Sequence, residues 1–375
     1  MWNRRVAISV LAALAFCGLA AAERREKPPI AVPRGIPETL WRSRPGVASL
    51  TPQQVALGED LFHDPLLSAD GTISCASCHN PAIGYADHNR VAVGVGKHTG
   101  FRNAPTLFNA VFAEVLFWDG RATTLEEQAL VPLQNPIEMG AQTGDDVIRR
   151  LNENARYRKR FAAVFGDENV TLRSLLAAIG AFERTLLSGN SAFDRFLAGE
   201  RAGLTESAER GWHLFRGSAG CIRCHTFETG RPFFTDFQFH NAGIAERNGG
   251  FAALARIARG VRTPGDLAKI AAADDMSELG RFRITGNPAD IGAFKTPTLR
   301  DVVMTAPYMH DGSIASLADV LASYSEGRHA TPRPPPGRPA RHLDSDTQRD
   351  LLAFLQSLTG AEAIEKAAQA SAPVR

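Results

Sequence analysis

Neither sign of charge predominates in this chain of 375 residues: 42 lysines and arginines stand against 40 aspartates and glutamates, for a net charge of +2. That balance makes nucleic acid an unexpected partner. Long apolar runs are scarce too. The one candidate, Val6 to Leu19, follows Arg4 and Arg5 and precedes the small residues Ala20, Ala21 and Ala22. It is too short to span a bilayer and has the layout of a cleaved secretory signal over residues 1–22. Export to the periplasm of a Gram-negative host, without a membrane anchor, is therefore expected. Bulky Phe16 before Cys17 argues against a lipid-anchored alternative. A sustained polar–apolar alternation is also missing, which argues against a large sheet. The chain reads as mainly α, with short strands allowed near Gly230 to Phe239, and its length suffices for two domains.

Cysteine is the most telling scarcity. Of five, Cys17 falls in the signal, and the other four form two copies of one pattern, Cys75-Ala-Ser-Cys78-His79 and Cys221-Ile-Arg-Cys224-His225. C-x-x-C-H is the attachment site of c-type haem: two thioethers hold the porphyrin and the histidine ligates iron. A zinc knuckle or two small disulfide loops are the competing readings. Two complete copies in an exported chain favour two covalently bound haems c.

The haem sites sit in a longer repeat. Gly58-Glu-Asp-Leu61-Phe62 before the first matches Gly211-Trp-His-Leu214-Phe215 before the second. After them, Ala104 to Gly120 aligns without gaps to Thr296 to Gly312, and Leu125 still matches Leu317. The pattern implies duplication of one cytochrome c-like unit. The expected organisation is an extended N-terminal arm (23–50), an N-terminal haem domain (51–190), and a C-terminal haem domain ending in a helix (191–375). Thr51 and Pro52 mark a capped helix start, and Thr205 to Phe215 repeats it before the second haem. Leu172 to Leu187 and Asp344 to Leu358 have helical apolar spacing, whereas TPRPPPGRP (Thr331 to Pro339) is an extended loop.

The motifs SCASCH, RNAPTLFN, FWDGR, NPIEMG, GCIRCH, FHNAG, TPTLRDV and TAPYMHDG occur in this order. With them, the region from about Thr51 to Leu358 resembles the bacterial di-haem cytochrome c peroxidase and MauG family. The resemblance implies a haem-dependent enzyme that uses hydrogen peroxide as oxidant. In the peroxidases of that family, a distal histidine follows the first motif's histidine by sixteen residues; here that position is Val95, which cannot ligate iron. His88 and His98 lie nearby, and as ordinary loop histidines they leave the first haem open; Gly94 and Gly96 would allow the loop some movement. Family position makes Glu138 the group that moves a proton during O–O cleavage, with Gln128 lining the pocket and Pro132 over the haem face. Apolar Ile137 and Met139 suit a buried acid at Glu138, against the alternative of a solvated loop carboxylate.

Family spacing puts a methionine ligand of the second haem fourteen residues after the PY-x-H histidine. Counting from His310 gives Tyr324, and the 192-residue repeat offset independently sets Tyr324 opposite Pro132. Rival ligands are Met304, Met309 and His329. A phenolate favours ferric and higher-valent iron, where a thioether favours ferrous iron. Trp118 matches the tryptophan between the two haems, with a plain core aromatic as its alternative reading. Asn103 and the carbonyls of Thr305 and Pro307 match an inter-haem calcium site of hard oxygen donors. MauG's surface tryptophan before the second motif has no counterpart at Ala219 and Gly220, and Trp212 lies further back.

The resemblance thus leads to a MauG-type di-haem oxidase that reaches a high-valent state with hydrogen peroxide and oxidises a protein partner. ITGNPADIGAFKTPTLRDV is most similar to MbnH-type enzymes, which convert a tryptophan of the partner MbnP to kynurenine. The alternatives are a cytochrome c peroxidase with a small cytochrome donor, and a di-haem electron carrier.

Overall fold

The computed structural model describes residues 30–140, 143–261, 263, 265–266, 276–325 and 342–371. The expected signal segment, the loop Thr331 to Pro339 and His329 lie outside the described residues. The described chain is mainly helical, and its only sheet joins two short strands, β1 (Phe239–His240) and β2 (Phe294–Lys295), antiparallel.

Each half is built on one helix crossing. The Pro52–His63 helix starts at Thr51, whose hydroxyl accepts from the Gln54 amide while Gln54 answers with its side chain; such reciprocal caps satisfy otherwise orphaned donors. It crosses the Leu172–Glu183 helix at Gly58, where a Cβ would stand 1.9 Å from the carbonyl oxygen of Ala178. In the second half the Glu206–Arg216 helix, capped by Thr205, crosses the Ser345–Gln356 helix at Gly211. A Cβ there would stand 1.9 Å from the carbonyl oxygen of Asp350. Both crossings bring backbone against backbone, which only glycine permits. Leu57, Leu61, Leu175 and Ile179 form the first core around this contact, and Phe215, Leu351, Phe354 and Leu355 the second.

The internal duplication is visible in the backbone. Asn109 and Asp301, Phe117 and Met309, and Gly120 and Gly312 are pairs separated by 192 residues, and every member has positive φ. The bridges Leu116–Ala122 and Tyr308–Ile314 repeat at the same offset. Asn109 and Asp301 converge on Ser188: the Asn109 amide bonds both backbone groups of Ser188, and Asp301 accepts from its hydroxyl at 2.9 Å. The halves also interlock reciprocally. The Asn103 amide donates to the carbonyl of His310 (2.9 Å), and the Lys295 amide donates to the carbonyl of Trp118 (2.8 Å). Asn103 corresponds to Lys295, and His310 to Trp118, in the repeat. A third, smaller core around Phe251, Leu279 and Phe282 packs against Trp118.

The arm is not simply extended, contrary to expectation. Glu38–Arg42 is a short helix, and Trp41 is fully buried, its indole donating to the carbonyl of Arg184 at 3.0 Å. Arg184 returns a bond to the Pro45 carbonyl, and Asn190 bonds Arg34 through the backbone. A large aromatic with an N–H needs both apolar cover and an acceptor, and the junction supplies both.

Replacing Gly58 or Gly211 by alanine should destabilise the fold by roughly 1–3 kcal/mol or more, because the added methyl meets backbone that cannot yield. Denaturant unfolding of either variant checks this, and wild-type midpoints would disprove the tight crossing.

Candidate di-haem site

Ser74 and Ser77 close the start of the Cys75–Cys78 turn with mutual side-chain caps, leaving His79 at its end. The Nδ1 of His79 lies 3.1 Å from the carbonyl of Tyr85, and that of His225 lies 3.0 Å from the carbonyl of Phe234. Tyr85 and Phe234 share the same left-handed backbone, with φ of 54° at each. Occupying Nδ1 on a carbonyl fixes the tautomer that presents Nε2 to a metal. Burial lowers the pKa of both imidazoles, with the carbonyls of Tyr85 and Phe234 opposing it, so both remain neutral as iron ligation requires. None of the four cysteines Cys75, Cys78, Cys221 and Cys224 is in a disulfide, which removes the disulfide-loop reading. Burial pushes the Cys75 and Cys78 thiols up to about 12.

Around the first attachment site, Gln128 and Pro132 lie one turn apart on the Leu125–Gln134 helix, which brings them to the same face. Pro132 has no amide hydrogen for the helix ladder. Glu138 is half-buried and accepts from the Asn135 amide at 2.7 Å. Burial raises its pKa, while Arg121 and Asn135 oppose the rise. Glu138 is also close enough to Cys78 to add to the burial that lifts that thiol. Val95 is buried and its amide donates to the Glu138 carbonyl at 2.9 Å, so Val95 adjoins Glu138. Gly94 serves close packing rather than the expected loop movement, since a Cβ there would meet the carbonyl oxygen of Ile137 at 2.0 Å. His88 and His98 are exposed.

Tyr324 sits on the Leu317–Ser325 helix beside the second attachment site. Tyr324 is 43% exposed. Burial, then the neighbouring Cys221 and Cys224, push its phenol up to about 12. Of the rival ligands, Met304 packs against the first half's core near Tyr85 and Leu107, away from the second site. Met309 holds the turn position that corresponds to Phe117.

Between the halves, the Trp118 indole donates to the carbonyl of Asn103 at 2.8 Å, and its ring lies 6.5 Å from that of His310. His310 is buried, stacked 3.6 Å from Phe294 and bonded to Glu278 at 3.0 Å, and Glu278 also pairs with Arg102. The Asn103 side chain is buried and donates to the carbonyls of Asn89 and Arg90. Asn103 and the Thr305–Pro307 turn come from opposite halves, joined by the Asn103–His310 bond.

Sequence reasoning assigned no role to Asn135, Arg121, Glu278 and His310. Asn135 and Arg121 were visible as letters of NPIEMG and FWDGR, whereas Glu278 lies outside any motif. Among the described residues, the one cluster of possible metal donors is Cys224, Asp236 and His240. His240 is already bonded to Asp236 at 2.7 Å, and Cys224 belongs to the haem pattern.

The sequence profile described as "Di-haem cytochrome c peroxidase" matches residues 52–202. The chain is 37% identical to the methylamine utilization protein MauG of Methylorubrum extorquens, over 91% of this chain and 85% of that protein. It is 35% identical to the cytochrome c551 peroxidase of Nitrosomonas europaea, over 84% and 83%. Among solved structures, a MauG-like protein associated with microbial copper homeostasis superposes with a TM-score of 0.70 at 33% identity, covering 89% of this chain and 95% of that one. The chain belongs to the MauG and di-haem cytochrome c peroxidase family. It is a haem-dependent oxidoreductase that uses hydrogen peroxide, carries two haems c, and works with a protein redox partner or protein substrate. No helix among the described residues is long and apolar enough to cross a membrane.

Replacing Cys221 and Cys224 together by serine should halve the covalent haem per chain, read by pyridine haemochrome absorbance and intact mass. Retention of two haems would refute attachment at this pair.

Proposed function

We propose that this protein is a MauG-type oxidase, which spends the oxidising power of hydrogen peroxide on a protein partner, and acts in the periplasm. The observation that carries this reading is Tyr324 beside Cys221 and Cys224, where the family's peroxidases have methionine. The two haems supply the redox chemistry: hydrogen peroxide takes up two electrons and two protons to give two waters, and the partner loses the electrons. Tyr324 would hold the iron of the second haem through its phenol oxygen, the metal's positive charge favouring loss of the phenol proton to solvent. Val95 leaves the far side of the first site without a ligating side chain.

Glu138 moves the proton from the near to the far peroxide oxygen. Its half-buried carboxyl is oriented by Asn135, and burial raises its pKa against Arg121 and Asn135, which favours a carboxyl able to carry a proton. Gln128 and Pro132 line the same pocket. Trp118, packed at the junction of the halves, relays electrons between the sites. Asn103 with the carbonyls of Thr305 and Pro307 holds a calcium ion there, in keeping with hard oxygen donors. The likeness to a MauG-like protein associated with copper homeostasis supports a finer reading, in which a partner similar to MbnP is oxidised at tryptophan towards kynurenine.

Cytochrome c peroxidase is the second reading, favoured by identity to such peroxidases nearly equal to that with MauG. An electron carrier has no use for the Glu138 pocket. Stoichiometric hydrogen peroxide added to the diferric protein should produce a near-infrared charge-resonance band; inertness until half-reduction would overturn the MauG-type reading. Tyr324→Met should abolish that band and make activity depend on prior reduction. Glu138→Gln should slow the reaction with hydrogen peroxide by roughly 10²–10⁴-fold in stopped-flow while leaving haem content unchanged.

A further inference from the structure

Among the described residues, Lys295 is a half-buried cation without an answering anion. It lies on β2, its backbone pinned to Trp118 and its side chain half-buried. Burial pushes its ammonium down to about 8, and no neighbouring charge opposes that fall. Among the described residues, no carboxylate, carbonyl or hydroxyl accepts a hydrogen bond from it. The acids of the surrounding segments are already engaged: Glu278 by His310 and Arg102, Asp119 by Arg121, and Asp236 by His240. Buried charges are ordinarily paired, because an isolated ion loses its hydration without compensation.

The position of Lys295 says what the missing partner is. Two residues on, the Pro297 carbonyl bears on the imidazole of His225. Thr296 accepts from Thr235, and the Asp236 amide donates to the carbonyl of Cys224. The strand carrying Lys295 is thus stitched to the segment that follows the second C-x-x-C-H. Thioethers and an axial histidine fix a haem's ring and iron, but its two propionate carboxylates need their own partners. These are the anions that attachment at Cys221 and Cys224 brings into the protein.

We propose that Lys295 is the counter-charge of a propionate of the second haem, holding that carboxylate at the junction beside Trp118. It is a positioning residue, and the assignment does not depend on which partner is oxidised. The equivalent position in the first half is the neutral Asn103, so this charge has no counterpart in the repeat.

The test uses the intact two-haem protein with Lys295→Met, Lys295→Gln and Lys295→Arg. Removing a positive charge favours the ferric state, so Lys295→Met should lower the second haem's midpoint potential in spectroelectrochemical titration and leave the first unchanged. It should also move the propionate-bending band in resonance Raman spectra. Lys295→Arg should restore both; Lys295→Gln, which keeps an N–H donor without charge, should restore the band but not the potential. The inference is overturned if no variant moves either quantity, or if the first haem's potential moves instead. Should Lys295→Met not accumulate, the Gln and Arg variants decide in the same way. A negative result leaves the near-infrared response untouched, so the two readings fail separately.

Discussion

Two backbone hydrogen bonds, Asn103 to His310 and Lys295 to Trp118, set the relation between the halves. Each joins the segment before a Pro-Thr-Leu turn in one half to the turn around Asp-Gly in the other. Much of what matters chemically hangs on them. They set the Trp118 ring against Phe251's small core on one side and His310 on the other, and they bring Asn103 to His310. The carbonyls of Pro105 and Pro297, just past these bonds, bear on the imidazoles of His79 and His225. A shift of either strand would therefore be felt at both histidines. Ser188, held by Asn109 from one repeat and Asp301 from the other, anchors the same junction from behind.

The first and second sites differ in how their polar groups are managed. At the first, Glu138 is flanked by Asn135 and Arg121, which moderate the effect of burial without cancelling it. A carboxyl in that state can change protonation at modest cost. At the second, Tyr324 lies beside Cys221 and Cys224, and burial with these two neighbours pushes its phenol up to about 12.

Helices were legible because their signals are local: the Thr51 and Thr205 caps, the apolar spacing of Leu172 to Glu183, and Asp344 ahead of the last long helix. The haem pattern was legible because covalent attachment demands fixed residue types at fixed spacing. Two counts pointed to Tyr324 at the second site, the family spacing from His310 and the repeat offset, since the duplication carries register across 192 residues. What escaped depends on distant contacts. Nothing near Trp41 announces that Arg184 will accept its indole proton, so the arm read as extended. Gly94 looked like a flexible residue because its true reason, contact with the carbonyls of Ile137 and Glu138, lies more than forty positions away. Glu278 and His310 are joined across 32 residues inside a segment without regular periodicity.

The reciprocal bonds also have a meaning in terms of symmetry. A contact in which one segment meets a second, and the second's copy meets the first's copy, is the isologous arrangement of a twofold dimer. In a true homodimer both members of every such pair are identical, so the two metal sites must be identical too. Carrying both copies on a single chain lifts that restriction while keeping the geometry. Asn103 can then have Lys295 as its counterpart, Trp118 have His310, and Pro132 have Tyr324. Two equivalent cradles become an unequal pair, which gives an oxidising equivalent a direction in which to travel.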